Sequence, residues 1–99
     1  MKYEVRIRPE AQIEFSQSVD WYEDRQLGLG SRFIESVDVA IKAISEFPEQ
    51  SPRVYRDIRC KSVKRFPYQI YYRILKQDIV EILSIFHVRQ YPGVWQSRN

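Results

Sequence analysis

The sequence predicts an α+β fold: an N-terminal strand, then an antiparallel helical hairpin packed on one face of a small four-stranded, mostly antiparallel sheet, in the order β-α-α-β-β-β. Three observations predict it. Residues 3–8 alternate apolar and charged side chains and are stopped by Pro9. The two segments that follow carry apolar stripes at helical spacing and are separated by Leu27-Gly28-Leu29-Gly30. Three β-rich runs then succeed the turn-forming Pro48-Glu49-Gln50-Ser51-Pro52. Such stripes must be buried, and a hairpin laid across one sheet face buries them while leaving the other face partly open.

Taken in order, Tyr3, Val5 and Ile7 alternate with Glu4, Arg6 and Arg8, the period of a strand with one buried face. Pro9 lacks the N–H that a sheet ladder needs but suits the first turn of a helix, and Glu10 and Glu14 favour the positive end of a helix starting there. The first helix is expected over residues 9–26, with Ala11, Phe15, Val19 and Tyr22 inward and Gln12, Gln17, Asp20 and Asp24 outward. Gly28 is placed to take the left-handed conformation that ends it, and Gly30-Ser31 to start the second helix. That helix runs to Phe47 on a stripe of Phe33, Val37, Ala40, Ile41 and Ile44, and Pro48 bars its extension.

Strands are expected at 54–63, 68–75 and 79–88, the last two joined by a tight turn at Lys76-Gln77-Asp78. The run Ile79 to Phe86 is almost wholly apolar, the mark of a central strand covered on most of both faces. Pro92 and Gly93 interrupt regular structure before Trp95. Strict alternation puts Ile58, Cys60, Ile70, Tyr72 and Ile74 under the helices, and Arg59, Lys61, Tyr71 and Arg73 on the opposite face, joined there by Glu81, His87 and Arg89.

Composition narrows the function classes. A chain of 99 residues without a Pro/Gly/Ser-rich linker is expected to be one domain, and its 43% hydrophobic content argues against disorder. The start, Met1-Lys2-Tyr3-Glu4-Val5-Arg6, alternates charge at once, so no secretory signal is expected. No run reaches the roughly 18 apolar residues of a membrane span, and a cytoplasmic location is expected. The lone Cys60 excludes an intramolecular disulfide and a multi-cysteine zinc site. No metal-ligand cluster, phosphate-binding glycine loop or nucleophile motif occurs, so neither metal nor cofactor is expected. The net charge of +3 is uneven: residues 53–73 hold Arg53, Arg56, Arg59, Lys61, Lys64, Arg65 and Arg73 against Asp57 alone. Such a surface suits an acidic protein partner or nucleic acid.

A further set of residues carries a family likeness over nearly the whole chain: Trp21-Tyr22 ending the first helix, Leu29-Gly30 with Phe33 opening the second, Phe47-Pro48 closing it, Phe66-Pro67-Tyr68-Gln69-Ile70-Tyr71-Tyr72-Arg73, and His87-Val88-Arg89 with Pro92 and Trp95. In order and spacing these resemble the RelE/ParE superfamily of type II toxin–antitoxin toxins, closer to ParE than to RelE. The resemblance implies the same helical hairpin on a small antiparallel sheet. It implies a growth-inhibiting toxin of the plasmid-stabilising kind, neutralised by a cognate antitoxin within a toxin–antitoxin hetero-oligomer, with DNA gyrase as the target. The antitoxin is expected to be encoded beside the toxin and to wrap it with an extended segment that folds on binding.

The alternative within the superfamily is a ribosome-dependent mRNA endonuclease, and here the sequence departs from the pattern. Arg89 matches the arginine after the last strand of RelE-like nucleases. Gln69 stands where they carry an arginine on the third strand, Trp95 where they carry a terminal tyrosine, and Cys60 and Ser62 where they carry lysines. A one-residue slip would recover only Lys61. An indole cannot serve as acid or base at neutral pH, whereas an imidazole can.

If the chain is a ribonuclease, the resemblance and the chemistry nominate Lys61, His87 and Arg89; if it is a binder, Arg59, Lys61, Arg73, Arg89 and Trp95 are the expected partner-binding residues. For each, a plainer reading stands beside the functional one. His87 is either an acid–base group or a strand-end residue hydrogen-bonded to a neighbour. The cations either dock a partner or form a solvated face. Tyr68, Tyr71 and Tyr72 either stack bases or pack the core and rim. Trp21 and Ile13 flank the first helix's stripe and are open to a partner, and Cys60 is expected to be buried and inert.

Overall fold

The computed structural model describes residues 2–76 and 78–89. Strand β1 (Glu4–Ile7) leads into helices α1 (Pro9–Arg25) and α2 (Leu29–Glu46), followed by strands β2 (Arg53–Tyr55), β3 (Ile58–Ser62), β4 (Tyr68–Ile74) and β5 (Ile79–His87). The helices begin and end within about one residue of the sequence expectation. Pro9 occupies the first turn of α1, and Gly28, at φ +87°, makes the left-handed turn between the helices. The expected turn at Lys76-Gln77-Asp78 is closed by Leu75 N–H donating to Ile79 O at 2.8 Å, with Asp78 at φ +65°. Gln77 itself, like Pro92, Gly93 and Trp95, lies outside the described residues.

The sheet has five strands, in the order β1-β5-β4-β3-β2, not the four expected. What reads as one strand over 54–63 folds back on itself. Arg56 takes φ +51°, and the pair Arg56-Asp57 turns β2 antiparallel onto β3. Two-residue hairpins need positive φ and usually recruit Gly or Asn for it, so an Arg-Asp turn is hard to see in sequence. All neighbouring pairs are antiparallel except β1 and β5, which run parallel across the helical crossover.

The helices cover one face. Phe33, Val37, Ala40 and Ile44 of α2 and Ala11 and Tyr22 of α1 pack on Ile70, Tyr72, Val80, Ile82 and Ile85 of the sheet. Phe33, wholly buried, is ringed by Tyr22, Phe66 and Tyr68 at centroid distances of 5.1, 5.1 and 4.8 Å. The buried Tyr72 hydroxyl donates to Pro48 O at 2.7 Å and ties the sheet to the end of α2. On the other face, Ile58, Tyr71, Leu83 and Phe86 form a second buried cluster. The long apolar run of β5 serves both clusters.

Candidate functional site

One irregularity in β5 decides where the candidate residues point. Tyr71 pairs with Ser84 but Tyr72 pairs with Ile82, so Leu83 is an extra residue, a β-bulge. Below it Ile82 lies under the helices with Tyr72, and Glu81 faces away with Arg73. Above it the parity is reversed, so that Ile85 and His87 lie on the helix side and Phe86 on the other. Glu81 and His87, expected on one face, are therefore on opposite ones.

A second inversion affects β3. Arg59 pairs with Tyr72 and Lys61 with Ile70, both under the helices, while Cys60 pairs with Tyr71 on the far face. The expected placement of Ile58 and Cys60 under the helices, with Arg59 and Lys61 opposite, is thus reversed. The sheet carries an apolar cluster on each face, and the apolar Ile58 and Cys60 join Tyr71, Leu83 and Phe86 in the far one rather than the core under the helices.

Each nominated residue consequently has its own setting. The Arg59 guanidinium donates through Nη1 to Glu49 O at 3.1 Å and Ser51 O at 2.7 Å, clamping the loop that enters β2. Lys61 faces a groove between α2 and β3. Arg73 is on the far face as expected, where its Nε meets Glu81 at 3.0 Å, and Glu81 also lies 3.7 Å from Arg8. Arg89 is exposed beyond β5, with its backbone N–H donating to His87 Nδ1 at 3.1 Å. Trp95 lies outside the described residues. Cys60 is half-buried rather than fully so, and burial pushes its thiol above the ordinary value.

His87 opens into a cleft of about 360 Å³ between α1 and the ends of β4 and β5, lined also by Glu14, Gln17, Ser18, Trp21 and Tyr68. β1 stops at Ile7, so among the described residues no strand lies beside the outer edge of β5 beyond Ile82, and Glu14 accepts the Ile85 N–H at 3.1 Å. Trp21 is half-exposed with the Arg25 guanidinium 4.2 Å above its ring, and the Tyr68 ring lies 5.4 Å from the imidazole. Sequence reasoning named Trp21 and His87 but missed Glu14 and Gln17. Their i, i+3, i+7 spacing with Trp21 was the available signal.

The structure does not bring His87 and Lys61 together. Their strands are separated by β4, so about 10 Å of sheet lies between them, and they open on opposite flanks of the helical hairpin, His87 beside α1 and Lys61 beside α2. Among the described residues no group of three or more His, Cys, Asp or Glu side chains could hold a metal ion, and no helix is long and apolar enough to cross a membrane.

A strand, a helical hairpin and a mostly antiparallel sheet with these clefts define a RelE/ParE-like toxin fold. Among solved structures, the chromosomal ParDE toxin–antitoxin system from P. aeruginosa matches with a TM-score of 0.74 at 17% identity, covering 89% of this chain and 98% of that one. The toxin–antitoxin complex RelBE2 from Mycobacterium tuberculosis matches with a TM-score of 0.61 at 23% identity, covering 88% and 99%. A comparison with curated proteins finds no match. The family model described as the ParE toxin of the type II toxin–antitoxin system parDE matches residues 5–92. The chain belongs to the ParE toxin family.

Proposed function

We propose that this chain acts in the cytoplasm by inhibiting DNA gyrase and is held inactive by a cognate antitoxin in a hetero-oligomer. The match to the ParE model across residues 5–92 supports the reading, since gyrase is the target that the resemblance to ParE toxins implies. Both solved relatives are toxin–antitoxin assemblies, which supports an antitoxin partner here. The placement of the candidate residues favours a binding protein over a nuclease. Cleavage through an RNA 2′-hydroxyl needs a base, an acid and cations gathered at one phosphate. Here the imidazole and Lys61 serve separate clefts, and Gln69 spends its amide oxygen on the Tyr71 hydroxyl at 2.7 Å.

Within this reading Lys61 and Arg89 present cations to a partner. Arg59 and Arg73, engaged by backbone carbonyls and by Glu81, hold the shape of the surface around them, and Trp95 belongs to the same proposed contact set. Induced expression should arrest growth and co-expression of the antitoxin should relieve the arrest. His87→Ala separates the two classes of toxin, because a gyrase binder keeps its toxicity while a nuclease relying on that imidazole loses most of it. Loss of toxicity in a folded His87→Ala protein would transfer the assignment to mRNA cleavage, with Arg89 as the cation nearest that imidazole.

A further inference from the structure

Helix α1 carries the carboxylates of Glu10, Glu14, Asp20, Glu23 and Asp24 against the guanidinium of Arg25. Three of these carboxylates are engaged inside the molecule: Glu10 meets Arg8, Glu14 accepts the Ile85 N–H, and Glu23 accepts the N–H groups of Gly28 and Gly30. Asp20 and Asp24 are exposed, and no ion pair among the described residues engages either. Four residues apart, they set two anions side by side on the outer surface of the helix. The basic segment 53–73 begins at the other end of the sheet, which β2 and β3 close, whereas α1 lies along β5. The two flanks of the toxin therefore differ in the sign of their charge.

Beside these anions runs a row with apolar ends. Ile13, Gln17 and Trp21 recur every fourth residue and so line up along the helix. Ile13 is 57% and Trp21 50% exposed, apolar surface that packing against the sheet does not use. The Trp21 ring is steadied by its neighbours: the Arg25 guanidinium lies 4.2 Å above it, and the Tyr22 ring meets it at a right angle with 5.1 Å between centroids. An indole already held in one orientation loses little freedom when it is covered, which suits it to anchor a contact. Next to it opens the cleft of about 360 Å³ to which Gln17, Ser18 and Trp21 contribute, wide enough for an inserted side chain.

We infer that the outer face of α1 is the surface with which the toxin grips its protein target, and that it receives a basic segment of that target. An apolar side chain of the segment lies on the Ile13–Trp21 row, and its lysines or arginines face Asp20 and Asp24. The assignment rests on the gyrase-inhibition reading and adds to it a surface and a chemistry. Charge complementarity selects the occupant: carboxylates beside an apolar row attract a segment that is apolar and cationic together. They oppose nucleic-acid phosphate and acidic protein alike, which the cations of 53–73 suit instead. The contact is carried by α1, so His87, which borders the cleft from β5, is not required for it.

The test compares Ile13→Lys and the double variant Asp20→Lys/Asp24→Lys with the wild type, for binding to purified gyrase on plasmid DNA and for binding to the antitoxin. All three positions are exposed on the helix, and melting curves check that the variants fold. Affinity for gyrase should fall at least about tenfold in each variant, the order expected when like charges are set against each other at an interface, and supercoiling should be inhibited correspondingly less. Added salt should weaken gyrase binding by the wild type more than by the double variant, because it screens an attraction that the variant lacks. Affinity for the antitoxin should be unchanged. Folded variants that bind gyrase as the wild type does, or that lose the antitoxin instead, would overturn the assignment to α1 and leave gyrase inhibition standing. A wild-type chain that neither binds nor inhibits gyrase would overturn both.

Discussion

Glu23 shows how much of the helical junction rests on one carboxylate. Its two oxygens accept the N–H groups of Gly28 and Gly30, each at 3.0 Å, and so satisfy donors at the start of α2, whose N-cap residue Gly28 has no side chain to offer. The approach is tight: a Cβ on Gly30 would lie 2.9 Å from Glu23 Oε1 and from Val19 O. Glu23→Ala should cost about 1–2 kcal/mol, the range of a lost helix cap, seen as a lower urea midpoint at unchanged slope. An unchanged midpoint would show that water replaces the carboxylate without loss. The sequence displayed the two glycines and their use in a turn, and pointed to Gly30-Ser31 as the start of the helix. The actual acceptor comes from the previous helix, five and seven residues upstream, and nothing in local spacing marks it.

At the scale of elements, the sequence located both helices and β1, which Pro9, Gly28 and Pro48 bound, and β4 and β5, two apolar-rich runs on either side of a short polar turn. It failed where the pattern changes phase. The bulge at Leu83 shifts β5 by one residue, which exchanges its faces, and a second apolar cluster on the far face takes Ile58 and Cys60 and so turns β3 over. The apolar character of β5 was the clue that both faces are filled, yet it could not say that the phase slips between Ile82 and Ile85. These two shifts account for the dispersal of cations that the sequence had gathered on one face. Where pattern and packing agree, the energetics are correspondingly large. Phe33 joins α2 to α1 and the sheet through four aromatic neighbours, and Phe33→Ala should cost about 3–5 kcal/mol. For a chain of this size that lowers the melting temperature by roughly 12 °C or more; a drop of only a few degrees would mean that the aromatic cluster collapses to fill the space.

For the whole molecule, the buried ionisable groups set an alkaline limit. Burial raises Cys60 above its ordinary 9.0, and Tyr22 and Tyr72 above their ordinary 10.0. Each is neutral when protonated, so below its ordinary value folding changes nothing in its proton count. Above that value the unfolded chain loses the proton first, and stability falls as pH rises toward the raised folded values. Urea midpoints should therefore be level from pH 7 to just below 9.0 and decline beyond it, steepening past 10.0 as the tyrosines contribute. A flat profile through pH 11 would contradict the burial of these hydroxyls and the thiol. Family membership was legible from the sequence because its cues are spread along the chain in fixed order, whereas the candidate site was only half legible. The cations of 53–73 were visible as charge, but the grooves they line depend on which face each strand turns to the helices, and alternation alone does not decide that.

Gyrase is where the proposed function meets its most direct test. Purified gyrase, relaxed plasmid and ATP are incubated with rising amounts of the folded chain, with and without the antitoxin. Supercoiling should fall with added chain, cleaved plasmid should accumulate, and the antitoxin should reverse both. Supercoiling that persists at large molar excess, from protein that still arrests growth and cleaves mRNA on ribosomes, would contradict the proposal and place the activity at His87 and its cleft.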